Sequence, residues 1–184
     1  MSGDVLERLA DLLRSEGGLM ATLVGHRGHG GREDPTMAPE SASPAQVAAG
    51  GPRTEGRAEE YELLVEAIYE GYLLHYGSPR VVRAPEADLK LLAGDQLYAI
   101  GLARLVALGD TAAVAELADT ITLSALAQGA GDPELADAVW AAGARAVGWG
   151  STEVHRQAKS LAFASAPGAF EAMRTSAVGV AASP

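Results

Sequence analysis

Hydrophobic positions recur along this chain at the three-to-four-residue spacing of helices, and nowhere in the alternation of a strand flanked by turn dipeptides. The first run is Val5, Leu6, Leu9, Leu12 and Leu13, one face of a short amphipathic helix; Asp4 and Glu7 stand at capping-box spacing and Gly17-Gly18 ends it. From about Gly25 to Gly56 the pattern lapses. Large apolar side chains almost vanish among Gly, Pro, Ser and Ala, with prolines at Pro35, Pro39, Pro44 and Pro52. A segment that buries so little cannot offset its ordering entropy, so residues 25–57 are expected to be a flexible linker.

Periodicity resumes at Ala58, where Glu59 and Glu60 precede Leu63, Leu64, Ile68, Leu73 and Leu74, predicting a long helix up to Gly77-Ser78-Pro79. Pro85 suits the first position of a second helix carrying Leu89, Leu92, Ile100, Leu102, Leu105 and Leu108. Asp110 or Thr111 caps a third with Val114, Leu117, Ile121 and Leu126, stopped by Gly129-Ala130-Gly131. Asp132-Pro133-Glu134 opens a fourth, through Trp140 to about Val147, and Ser151 or Thr152 is placed to cap a fifth that ends before Pro167. A weak segment from Gly168 to about Arg174 leads into a Ser/Ala tail, so residues 167–184 are expected to be weakly ordered. Connections this short between the central helices imply an all-α fold. The expected architecture is an antiparallel helical bundle over residues 58–166, preceded by the N-terminal helix in 1–24 and the linker.

Composition narrows the chemistry. The 184 residues hold 48% apolar side chains but only 5% aromatics, so the core must be thin and alanine-rich. Fourteen Lys and Arg against 24 Asp and Glu give a formal charge of -10, which repels nucleic-acid backbones and anionic lipid, and no local basic stripe offsets it. The lack of cysteine excludes disulfide scaffolds, thiolate nucleophiles and Cys-ligated zinc. Asp4, Glu7 and Arg8 deny the first residues an apolar signal core, and no run reaches spanning length, so a cytoplasmic location is expected.

Few residues stand out as chemistry. Gly94-Asp95 interrupts the second long helix where neither residue favours helix formation. Helical spacing puts Asp95 on a face with Leu91, Leu92, Tyr98 and Leu102 and so partly toward the core, either accepting a hydrogen bond from a neighbouring helix or bordering a polar cavity. Glu66 and Glu70, with Glu62 one turn earlier, place carboxylates on one face; such oxygens suit Mg²⁺ or Ca²⁺, although an acidic face is more often simply solvated. Tyr69, Tyr72, His75 and Tyr76 follow, with His75 in a packing or capping position near the helix end. His26 and His29 lack further ligands close by, and the glycines around them miss both the G-x-G-x-x-G order and a P-loop. Serines occur without G-x-S-x-G or a paired histidine and acid of recognisable order.

The run Leu91-Leu92-Ala93-Gly94-Asp95-Gln96-Leu97-Tyr98-Ala99-Ile100, with Ala107-Leu108-Gly109-Asp110 and Ala115-Glu116-Leu117-Ala118-Asp119 after it, resembles the "LAGD-x-L" helix and its successor in the all-helical trans-isoprenyl diphosphate synthases. The resemblance implies an aspartate-rich Mg²⁺ site on the preceding helix. Here that position carries Glu66-Ala67-Ile68-Tyr69-Glu70, with acids at its ends only, and no paired aspartates follow Asp132. Ionising an allylic diphosphate needs several Mg²⁺ ions and cationic groups, so the chain alone is not expected to transfer prenyl groups and requires no cofactor; Glu66 and Glu70 would be remnant Mg²⁺ ligands. What the resemblance implies is a non-catalytic accessory subunit that pairs with a catalytic polyprenyl diphosphate synthase, or with itself, in isoprenoid or quinone side-chain synthesis. Leu73, Leu97, Tyr98 and Leu102 would then wall an apolar tunnel or an interface, with Asp95 at its mouth. The competing expectation is a small acidic helical module that binds proteins unrelated to isoprenoids.

Overall fold

A computed structural model describes residues 2–24 and 42–178, and over these the protein is all-α. The elements in chain order are α1 (Ser2–Glu16), α2 (Gly18–Leu23), α3 (Pro44–Ala49), a 3₁₀ turn (Pro52–Thr54), α4 (Ala58–Tyr76), α5 (Ala87–Ala107), α6 (Thr111–Gly129), α7 (Pro133–Trp149), α8 (Glu153–Phe163) and α9 (Ala169–Val178). The sequence caps are the structural ones. The Asp110 carboxylate accepts the Ala113 N–H at 3.0 Å, Asp132 accepts that of Leu135 at 3.0 Å, and the Thr152 hydroxyl accepts that of His155 at 3.2 Å. α5 begins at Ala87 with Glu86 as its N-cap, so Pro85 stands just outside the helix and not at its first position.

Three apolar clusters form the interior. Leu9, Leu13, Met20 and Val82 join Leu74 and Leu97 beneath α1 and α2; Tyr61, Leu64, Ile68, Leu105, Leu117 and Trp140 fill the centre; Leu123, Val139, Ala158, Ala162 and Met173 pack under α8 and α9. Small residues set the spacing. Gly101 lies against Ile68, and Gly71 against Gly94 and Tyr98, so α4 and α5 run in opposite directions with their backbones close.

Two sequence expectations change. Residues 42–57 are not a linker. Ser43 and Gln46 make a reciprocal capping box, Pro44 opens α3, and Ala45 and Ala48 are fully buried between α4 and α7. The missing large side chains are the cause. A Cβ on Gly51 would come within 2.1 Å of the Gly148 carbonyl oxygen, so backbone packs directly on backbone there. Arg53 then donates to the Val147 carbonyl at 2.6 Å and to both oxygens of Asp110. Residues 25–41, with His26 and His29, lie outside the described residues. The second change is at the other end, where residues 169–178 form α9, packed on α7 and α8 with Ala169 and Met173 buried. Alanine-rich α7 lets a short helix dock closely, so a weak sequence pattern suffices.

Candidate functional site

α4 presents Glu66 and Glu70 one turn apart, and both are buried, at 1% and 0% exposure. They are buried because the segment after α4 folds back over them. One oxygen of Glu70 accepts the backbone N–H groups of Arg80 at 2.8 Å, Val81 at 2.6 Å and Val82 at 3.0 Å. The Arg80 guanidinium spans both acids, donating from Nη2 to Glu66 Oε1 and lying with Nε 3.6 Å from Glu70 Oε2, while it stacks over the Tyr69 ring at 5.3 Å. Burial pushes the Glu66 carboxyl up to about 7, against the opposing pull of Arg80 and with the added push of Glu70. As Mg²⁺ ligands these glutamates are already occupied by donors of the chain itself. Among the described residues no three Asp, Glu or His side chains gather as a metal site.

Gly94-Asp95 resolves into two separate roles. Gly94 lies under the His75 ring, where a Cβ would meet Nε2 at 2.5 Å, and His75 in turn stacks on Tyr98 with ring planes 3° apart. Asp95 does not turn inward. Its side chain is 72% exposed and its Oδ1 stands 3.2 Å from His75 Nε2, without hydrogen-bond alignment. The helix rotates so that Gly94, not Asp95, takes the tight seam against Gly71. Of the other tunnel-wall candidates, Leu97 is fully buried in the cluster under α1, while Leu73, Tyr98 and Leu102 are half-buried against the central cluster. The four thus belong to two different clusters.

On the opposite side of α5 the sequence leaves an apolar stripe uncovered. Leu92 and Val106 are each 56% exposed, Leu91 is 49% exposed, and Ala99 and Ala103 lie exposed between them. The spacing of Leu92, Ala99, Ala103 and Val106 is that of a helix seam. α5 packs mainly on α4 and only lightly on α6, so this stripe has no cover within the described chain.

The second constellation combines residues that sequence reasoning did not join. Glu116 of α6, His155 of α8 and Ser176 of α9 each sit on the inward face of a helix. Ala113, Leu117 and Thr120 flank the first, Ala158 and Ala162 continue the second, and Ala169 and Met173 precede the third. His155 Nε2 is 2.6 Å from Glu116 Oε1, and Nδ1 is 2.6 Å from Ser176 Oγ. Lys159 Nζ donates to Glu116 Oε2 at 2.9 Å and to Asp119 at 2.8 Å. Burial raises the Glu116 carboxyl, but the hydrogen bonds and positive charge of His155 and Lys159 outweigh it and hold the group below the ordinary carboxylate range. A cleft of about 340 Å³ opens beside the cluster, lined by His155, Ser176, Thr175, Glu153, Arg145 and Trp149. The one sequence signal was a histidine in register with Ala158 and Ala162. Its partners lie 39 and 21 residues away, a separation no local motif spans.

No protein-family model matches the chain, and no curated protein or solved structure resembles it at a significant level. Function therefore rests on the geometry. No helix of the described residues is long and apolar enough to cross a membrane.

Proposed function

We propose that the protein is a helical accessory subunit, non-catalytic in prenyl transfer, that docks through the outer face of α5 onto a helical partner. The observation that carries this reading is the uncovered stripe of Leu92, Ala99, Ala103 and Val106. A large apolar side chain held half in water is stabilised by about 25 cal/mol for each Å² that a partner covers, and intervening alanines let a second helix approach closely. The stripe belongs to the same helix as Leu92-Ala93-Gly94-Asp95, whose likeness to prenyl diphosphate synthases makes a catalytic polyprenyl diphosphate synthase subunit the proposed partner, in isoprenoid or quinone side-chain synthesis. The engagement of Glu66 and Glu70 by Arg80 and three backbone N–H groups supports a subunit that contributes packing rather than Mg²⁺ ligands.

A second reading, an acidic interaction module unrelated to isoprenoids, is favoured by the seam at Gly94. Contact with His75 and Gly71 is reason enough for a glycine in mid-helix, without an inherited motif. Affinity capture of the full chain from native extract, followed by mass spectrometry and a prenyl-transfer assay on the eluate, separates the two. A co-purifying subunit with intact aspartate-rich motifs, whose capture and activity are lost with Leu92→Glu/Val106→Glu, supports the accessory subunit. Partners without such motifs and an inactive eluate support the module.

A further inference from the structure

The cleft between α7, α8 and α9 is remote from the α5 stripe in the chain and plays no part in the docking argument. We propose that Ser176 is an acylatable nucleophile in this cleft, with His155 as its base and Glu116 as the residue that orients that base and stabilises the charge it gains on taking the proton, acting on a small carboxylic ester.

The groups that acyl transfer needs are present in working order. A serine hydroxyl is a weak nucleophile until a base stands ready for its proton, and the base must be held in one tautomer by a third group. Ser176 Oγ meets His155 Nδ1 at 2.6 Å, and the opposite ring nitrogen meets Glu116 at 2.6 Å. With the proton on Nε2, donated to Glu116, Nδ1 is the acceptor that faces the serine. Lys159 fixes the other Glu116 oxygen, so the carboxylate stays ionised beside the ring. The hydroxyl and the ring both border the cleft, whose volume of about 340 Å³ admits a short acyl chain and a small alcohol, with Trp149 and Val154 as its apolar wall. Glu153 and Val154, in the first turn of α8, also line the cleft, and their N–H groups, with no carbonyl one turn back, would be the donors to a developing oxyanion.

The reaction closes without another reagent. Ser176 Oγ bonds to the ester carbonyl carbon as its proton passes to His155 Nδ1. The carbon–alkoxide bond then breaks, and that proton leaves with the alcohol. Water, deprotonated by Nδ1, attacks the acyl-serine; the Oγ–acyl bond breaks, the proton returns to Oγ, and the carboxylic acid departs.

The full chain, incubated with a fluorophosphonate probe, is expected to carry one adduct that peptide mass spectrometry places on Ser176, and to show a burst with p-nitrophenyl acetate. Ser176→Ala should abolish the adduct and leave the thermal midpoint near that of the parent, because Ser176 is only half-buried. Glu116→Gln should slow labelling by about a hundredfold, with partial recovery in Glu116→Asp, which a merely structural carboxylate would not show. A folded parent chain that acquires no adduct at Ser176, or that reacts no faster than Ser176→Ala, overturns the proposal. The cluster would then only clasp α6, α8 and α9 together.

Discussion

The His75 imidazole lies across Gly94 so closely that a Cβ added there would stand 2.5 Å from Nε2 and 3.0 Å from the Gly71 carbonyl oxygen. Gly94→Ala is therefore expected to cost about 1–3 kcal/mol, because α4 and α5 must separate or His75 must leave Tyr98. Gly51→Ala should cost more, since the atoms it meets are the backbone of Gly148, at 2.1 Å, and cannot rotate aside. Gly129→Ala meets nothing within 4 Å and should be neutral or stabilising by up to about 1 kcal/mol. Urea denaturation of the three variants checks the order; a Gly94→Ala as stable as Gly129→Ala would contradict the close seam.

Glu70 acts as the anchor of the segment after α4. Glu70→Ala leaves the N–H groups of Arg80, Val81 and Val82 without their carboxylate and should destabilise the protein by about 3–5 kcal/mol, as for the loss of one member of a buried charged pair. Hydrogen exchange is the direct readout. Protection at Val81 and Val82 should fall sharply, while α9 amides exchange at their former rate relative to global unfolding.

Two of the buried glutamates, Glu66 and Glu116, give pH dependences of opposite sign. Glu66 is raised in the folded protein from 4.5 to about 7, so the folded state binds the extra proton. Its contribution is fully present below about pH 4.5 and is lost as pH rises through 7. Glu116 is lowered, so its contribution is present above the usual carboxylate range and is lost as pH falls through its folded value. Stability measured by denaturant between pH 3 and 8 should therefore pass through a maximum on the acid side of neutrality. Glu66→Gln should flatten the neutral limb alone, and an unchanged limb would remove Glu66 from the account.

Leu92 and Val106 face water, so replacing both with glutamate should shift stability by no more than about 0.5 kcal/mol per site. The same pair should abolish association with a helical partner, or with a second copy, in sedimentation velocity. Loss of folding in the double variant would show that the stripe is covered within the chain.

How much was legible in the sequence depended on how local the information was. The caps at Asp110, Asp132 and Thr152 and the apolar spacing of α4 to α7 are contacts within one helix turn, so the chain by itself settles that these segments are helical and where α6, α7 and α8 start. α3 and α9 were hidden because what stabilises them is close packing of alanine and glycine on α7, and small residues look alike in a linker and in a tight interface. Helical spacing alone turns Asp95 partly toward the core, but rotation of α5 is set by where Gly71, Gly94 and Gly101 let two backbones touch, and that leaves Asp95 in water. Glu66 and Glu70 were recognisable as a pair, yet their occupancy by Arg80 depends on a turn folding back. The Glu116, His155 and Ser176 cluster belongs wholly to tertiary structure, since three helices must pack before any of its hydrogen bonds exists. The sequence determined the helices because a helix is stabilised by neighbours three and four residues away; only the packing of those helices decided which polar side chains were sealed inside together and which apolar ones were left facing solvent.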